Sequence, residues 1–113
     1  MKLLLEKQSQ KLLANHLANK GIEDTTDFKP VVKFFNPVGA ATWLLTEMDE
    51  YGTMFGLCDL GMGSPELGSV TFDEIQSIDL PYGLGIERDI NFKADKKISQ
   101  YADQAREIGR IEA

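Results

Sequence analysis

Between Leu5 and Asn19 the apolar positions Leu5, Leu12, Leu13 and Leu17, with Ala14 and Ala18 beside them, fall on one helical face, and Gly21 follows as a natural stop. The polar residues 21–29, closed by Pro30, read as a loop. Three β-rich runs come next, at 30–35, 42–48 and 53–60, separated by the turn sequences NPVGAA and DEYG. They predict an antiparallel meander. With Met48 opposite Met54, an uninterrupted register sets Trp43 against Asp59, Leu45 against Leu57 and Glu47 against Phe55. Both faces of that hairpin are largely apolar, which calls for cover on both sides, by helices alone or by helices and a partner.

The stretch GMGSPELGS, with Gly61, Gly63, Pro65 and Gly68, predicts a series of turns. Thr71 followed by Glu74 is a capping-box pattern for a short helix within 70–78 that carries Phe72, Ile75 and Ile78. After a second turn region, LPYGLG, residues 86–92 alternate like a half-buried strand, with Arg88 on the apolar side. The spacing of Ile98, Tyr101, Ala105, Ile108 and Ile111 describes a C-terminal amphipathic helix, with Ser99 a candidate cap. The order α-β-β-β-α-β-α predicts an α+β fold: a small antiparallel β-sheet of about four strands, packed by N- and C-terminal helices and one short helix. Residues 1–113 form a single domain on this reading, without internal repeats.

Composition fits that reading. At 113 residues, with 42% apolar and 27% charged side chains, the chain can bury a core without disulfides or a structural metal. Collagen-like, disordered, disulfide-rich and membrane-spanning classes are excluded, since apolar runs last only a few residues against the ~20 of a spanning helix. The opening Leu3 to Leu5 is too short for a secretory core, which makes the cytoplasm the expected location. Cys58, the only cysteine, reads as a small apolar residue, because Asp59 follows it and the sole histidine, His16, is remote.

Charge changes the picture more. The net charge is −6, and residues 31–90 set ten acids against only Lys33 and Arg88. A field of that sign repels nucleic-acid phosphates and attracts basic protein surfaces. The carboxylates Glu47, Asp59, Glu66, Glu87 and Asp89, with Arg88 among them, admit two readings. They could act as acid, base or hard-cation ligands, or Arg88 could be neutralised by Asp59 or Glu47 in an ion pair. No HExxH or calcium-loop spacing is present. The glycine-rich stretch lacks the Lys-Ser/Thr ending of a phosphate-binding loop and reads as turns, with Pro65, Glu66 and Leu67 as a rigid exposed tip. The aromatics, Tyr82 included, read chiefly as core, and Tyr51 in the DEYG turn is the expected exposed ring. His16 reads as a surface or packing residue.

The runs ATWLLTEMD, FGLCDLGMGSPELGSV and GLGIERDINF, in this order, resemble a bacterial family catalogued as domain of unknown function 2958. The likeness extends from KLLAN through PVVKFFNP to ISQYA and is carried by Trp43, Glu47, Asp59, Gly61, Pro65, Glu66, Leu67, Gly68, Glu87 and Arg88. The chain departs from the family at Leu5, where a Thr or Ser would cap the first helix. The resemblance implies a small protein carried mainly on plasmids, integrative elements and phages, and implies no activity.

Charge layout and resemblance together predict a non-enzymatic protein-binding module of a mobile genetic element, without cofactor, catalytic residue or metal ligand. The expected binding residues are Trp43, Glu47, Asp59, Pro65, Glu66, Leu67, Glu87 and Arg88, and the expected partner is a basic surface of a host or element-encoded protein. One version is an inhibitor of a host nucleic-acid-binding defence complex, in which carboxylates compete with phosphates for the same cations. Two alternatives stand beside it: a divalent-metal enzyme using Glu47, Asp59 and Glu66 with Arg88 holding an anionic substrate, and a homo-oligomeric structural module. The binding reading requires the acids of residues 31–90 to gather on one outward patch.

Overall fold

In the computed structural model, which describes residues 2–113, helix α1 spans Glu6–Asn19. Leu5 precedes it and has no side-chain acceptor for the free amides of the first turn. Half of a capping box survives: the Leu5 amide donates to Gln8 Oε1 at 3.0 Å. Strands β1 (Val32–Phe35), β2 (Thr42–Met48) and β3 (Thr53–Asp59) then form the expected meander.

A fourth strand, β4 (Glu66–Thr71), pairs with β3 inside the stretch whose glycines and proline predict only turns. Helix α2 (Phe72–Gln76) follows directly, and Thr71 and Glu74 make the reciprocal capping box that their spacing predicts. The half-buried strand expected over 86–92 shrinks to β5, Glu87–Arg88, because the chain turns again at Asp89, whose carboxylate accepts the Asn91 amide. All pairings are antiparallel, in the order β4-β3-β2-β1-β5.

Helix α3 covers Ile98–Ile108 and ends at Gly109, whose φ of 83° is the left-handed conformation that stops helices. Ser99 lies inside this helix rather than at its cap. Its amide and hydroxyl both donate to the Asp27 carboxylate, and the Ile98 amide donates to the Phe28 carbonyl at 2.9 Å, so the loop before β1 satisfies the start of α3 from a distance. Beside this start the Tyr101 hydroxyl donates to Asp95 Oδ1 at 2.9 Å, and Lys96 Nζ sits 4.8 Å above the Tyr101 ring.

The β2–β3 register differs from the uninterrupted one. Met48 faces Met54 and Glu47 faces Phe55 as expected, but Thr46 is an extra residue, and beyond it Leu45 faces Gly56, Leu44 faces Leu57 and Trp43 faces Cys58. This is a β-bulge. The Thr46 carbonyl released by it accepts the buried Asn15 side chain at 2.9 Å, which ties α1 to the sheet. Gly56 opposite the bulge leaves no room for a side chain, since a Cβ there would stand 2.0 Å from the Leu44 carbonyl oxygen.

Alternation along the strands produces two cores. Trp43, Leu45, Val32, Phe34 and Met54 pack beneath Leu12 of α1 and Ile75 of α2, while Leu44 and Leu57 pack beneath Ile98, Tyr101, Ala102 and Ala105 of α3. The sheet is therefore covered by helices on both faces. Among the described residues no helix is long and apolar enough to cross a membrane.

Candidate functional site

The eight residues expected to bind do not share a surface. Trp43 and Asp59 are 3% and 2% exposed, and Pro65 is buried as well, so none of the three is available to a partner. Glu66 and Leu67 are exposed on β4, whereas Glu87 and Arg88 are half-buried on β5 at the other edge, four strand spacings or about 19 Å away. Glu47 lies near the turn end of β2, while Asp59 faces Thr42 at the opposite end, about 15 Å along the strand. The carboxylate constellation is dispersed by the sheet itself. Among the described residues no group of three or more His, Cys, Asp or Glu is placed to hold a metal ion.

Asp59, Glu47, Arg88 and Asp89 instead have local partners. Asp59 is a latch: its Oδ1 accepts the Gly61 amide at 2.8 Å and its Oδ2 the Ile111 amide at 3.0 Å, which fastens the segment after α3 to the end of β3. Glu47 Oε2 accepts from the buried Asn19 side chain at 3.1 Å. Arg88 shares the sheet face of its neighbour Phe34, as its alternation predicts, but it pairs with neither Asp59 nor Glu47; its guanidinium donates to the Lys2 carbonyl. Lys33 takes Asp89, at 3.4 Å. Cys58 packs on the α1 side of the sheet, where burial pushes its thiol pKa up, away from nucleophilic use.

The acids that do gather lie at the other end of the sheet. Asp49 and Glu50 form the β2–β3 turn, where Asp49 Oδ1 accepts the Tyr51 and Thr53 amides at 2.9 Å each. The Phe72 amide donates to the Gly52 carbonyl at 2.8 Å, so the start of α2, with Asp73, is held against this turn. A hollow of about 540 Å³ between the turn, α2 and the first turn of α1 is lined by Glu6, Asp49, Glu50 and Asp73, with Lys2 its one basic lining residue. A second hollow, about 410 Å³, flanks the turn on the α1 side with His16, Leu17 and Lys20. Tyr51 stands between them, 84% exposed, and Leu17 is 59% exposed. Among the described residues none of these four acids is in an ion pair.

The turn and its exposed tyrosine were legible as DEYG; the contribution of α2 was not. Its placement depends on β4 carrying the chain back alongside β3, and that strand is hidden by Gly68 and by the glycines and proline just before it. Tyr82, expected in the core, is instead 93% exposed at the tip of the LPYGLG turn.

Fold and surface define a class: small α+β proteins with a five-stranded antiparallel sheet, helices on both faces and an acidic ridge at one sheet end. The family described as protein of unknown function DUF2958 matches residues 3–112, and the chain belongs to it. No curated protein and no solved structure matches the chain.

Proposed function

We infer that this protein is a non-enzymatic module that docks on a basic surface of another protein through the acidic ridge at the β2–β3 turn. One observation carries the reading: Tyr51 projects between two hollows, with the carboxylates of Glu6, Asp49, Glu50 and Asp73 around it, none of them in an ion pair among the described residues. An aromatic anchor inside a charged rim is the arrangement that concentrates binding energy at interfaces, and an excess of carboxylates steers a cationic partner toward it. The ridge replaces the dispersed set Glu47, Asp59, Glu66 and Glu87 as the proposed contact surface.

A partner whose Lys and Arg side chains otherwise meet nucleic-acid phosphates suits this surface, in keeping with an inhibitor of a host defence complex acting in the cytoplasm for a mobile element. The metal-enzyme reading has no support from geometry, since Glu47, Asp59 and Glu66 stand on separate parts of the sheet.

The test is affinity purification of the tagged chain from host cells, followed by salt titration of the captured complex. Binding should weaken steeply with salt and should be lost in Tyr51→Ala and in the double variant Glu50→Lys/Asp73→Lys, with thermal melting unchanged. Glu66→Lys, about 20 Å away along β3, should bind normally. Salt-indifferent binding, or equal loss in Glu66→Lys, refutes the reading.

A further inference from the structure

The two edges of the sheet are not equivalent. β5 ends one side after two residues, a length too short to template another strand. β4 ends the other side with six, and contains no lysine, proline or bulge. Which of its backbone groups face outward follows from two hydrogen bonds. The Phe72 amide donates to the Gly52 carbonyl, and the Thr71 amide turns away from β3 to Glu74. Antiparallel pairs alternate between bonded and non-bonded, so Val70, Gly68 and Glu66 bond to β3, while Leu67 and Ser69 direct their amides and carbonyls away from the sheet. Both residues are exposed, and no other backbone group of the described residues meets them.

We propose that β4 pairs with β4 of a second copy of this chain, antiparallel and centred on Gly68, to make one continuous ten-stranded sheet. Only this register pairs both the amides and the carbonyls of Leu67 and Ser69. It sets Leu67 against Ser69 of the partner and Ser69 against its Leu67, giving four hydrogen bonds. A shift centred on Leu67 would put Ser69 against Pro65, which has no amide, and a shift centred on Ser69 would put Leu67 against Thr71, whose amide is already held by Glu74.

The chosen register places the two Gly68 residues across the two-fold axis as a non-bonded pair, with Cα atoms about 4.5 Å apart. A Cβ at Gly68 would meet nothing within 4 Å in the single chain, so the position is open on that side. No like charges face each other, because Glu66 comes opposite Val70. Leu60 and Met62, 59% and 81% exposed, line the hollow at the Glu66 end of the strand and extend the contact. A six-residue edge is a small interface, which makes the dimer weak and concentration-dependent. Two copies each carry −6, so salt strengthens this pairing, the opposite of its effect on docking to a basic partner.

Sedimentation of the full chain from micromolar to millimolar concentration should show the mean mass rising from one chain toward two, more so at high salt. Ser69→Pro removes one outward amide without touching the β3 ladder, and should hold the mass at one chain with an unchanged melting curve. In a Cys58→Ala background, Gly68→Cys should form an inter-chain disulfide under mild oxidation, whereas Ser69→Cys, offset from its own copy, should not. A one-chain mass at millimolar concentration, association undiminished by Ser69→Pro, or equal crosslinking at both positions overturns the proposal. So does an edge that takes up an added extended peptide while the chain itself stays monomeric.

Discussion

The Asp59 carboxylate and the Ile111 amide meet at 3.0 Å across 52 residues of chain, and among the described residues this buried acid is in no ion pair. This acid is structural: it closes the turn after β3 through the Gly61 amide and pins the residues after α3. Asp59→Ala leaves the Gly61 and Ile111 amides without their acceptor, at a cost of about 1–3 kcal/mol for each group that stays buried. Urea unfolding should show a lower midpoint, and carboxypeptidase should trim the variant faster than the parent. An unchanged midpoint would mean water replaces the carboxylate at no cost.

Leu5 occupies the cap of α1 without a group able to accept from the helix amides. Leu5→Ser supplies that oxygen and completes the box with Gln8, for an expected gain of about 1 kcal/mol. A rise in the urea midpoint checks it; a fall would show that the leucine contributes more by packing than a hydroxyl does by capping.

Gly56 and Gly68 lie opposite each other on β3 and β4, yet they tolerate a methyl group very differently. Gly56→Ala drives its Cβ into the Leu44 carbonyl and should cost about 3 kcal/mol. Gly68→Ala meets open space and should change stability by less than about 1 kcal/mol. Calorimetric melting of the pair separates backbone crowding from strand propensity, and similar losses in both would count against the bulge geometry.

Stability should also respond to pH at the start of α3. Hydrogen bonds from the Tyr101 hydroxyl, then from Lys96, hold the Asp95 carboxyl below its ordinary range. A group depressed in this way adds stability above its unfolded pKa and loses it as pH falls through the folded one. Tyr101 itself is pushed up, chiefly by burial, so its contribution is complete below the ordinary tyrosine range and fades as pH rises through the raised value. Tyr101→Phe should therefore flatten both limbs, the acid one below about pH 4 and the alkaline one above about pH 10. Urea midpoints across that range decide it, and parallel curves for the two proteins would exclude the Asp95–Tyr101 pair as their source.

Much of the architecture could be read from residues alone. The boundaries of β2 and the Thr71–Glu74 cap of α2 came from local chemistry, and local chemistry decided them. β4 was missed because an exposed edge strand need not alternate apolar with polar: Glu66, Leu67, Gly68 and Ser69 read as loop residues, and only pairing with β3 makes them a strand. The expected binding set is dispersed for a related reason. Glu47, Asp59, Glu66 and Glu87 are adjacent in a list of acids but not in a sheet whose order places β4 and β5 at opposite margins. Asp73 joins Asp49 and Glu50 through a single backbone contact, Phe72 to Gly52, that no local pattern announces.

Thr46 is the residue on which the orientation of the ridge depends. Were Thr46 an ordinary ladder residue, Glu47 would share the α1 face of Trp43 and Leu45 and Met48 would take the opposite face, because side chains in a strand reverse with every position gained or lost. One inserted amino acid thus serves as the hinge pin that lets a two-sided hydrophobic hairpin end in a hydrophilic crest.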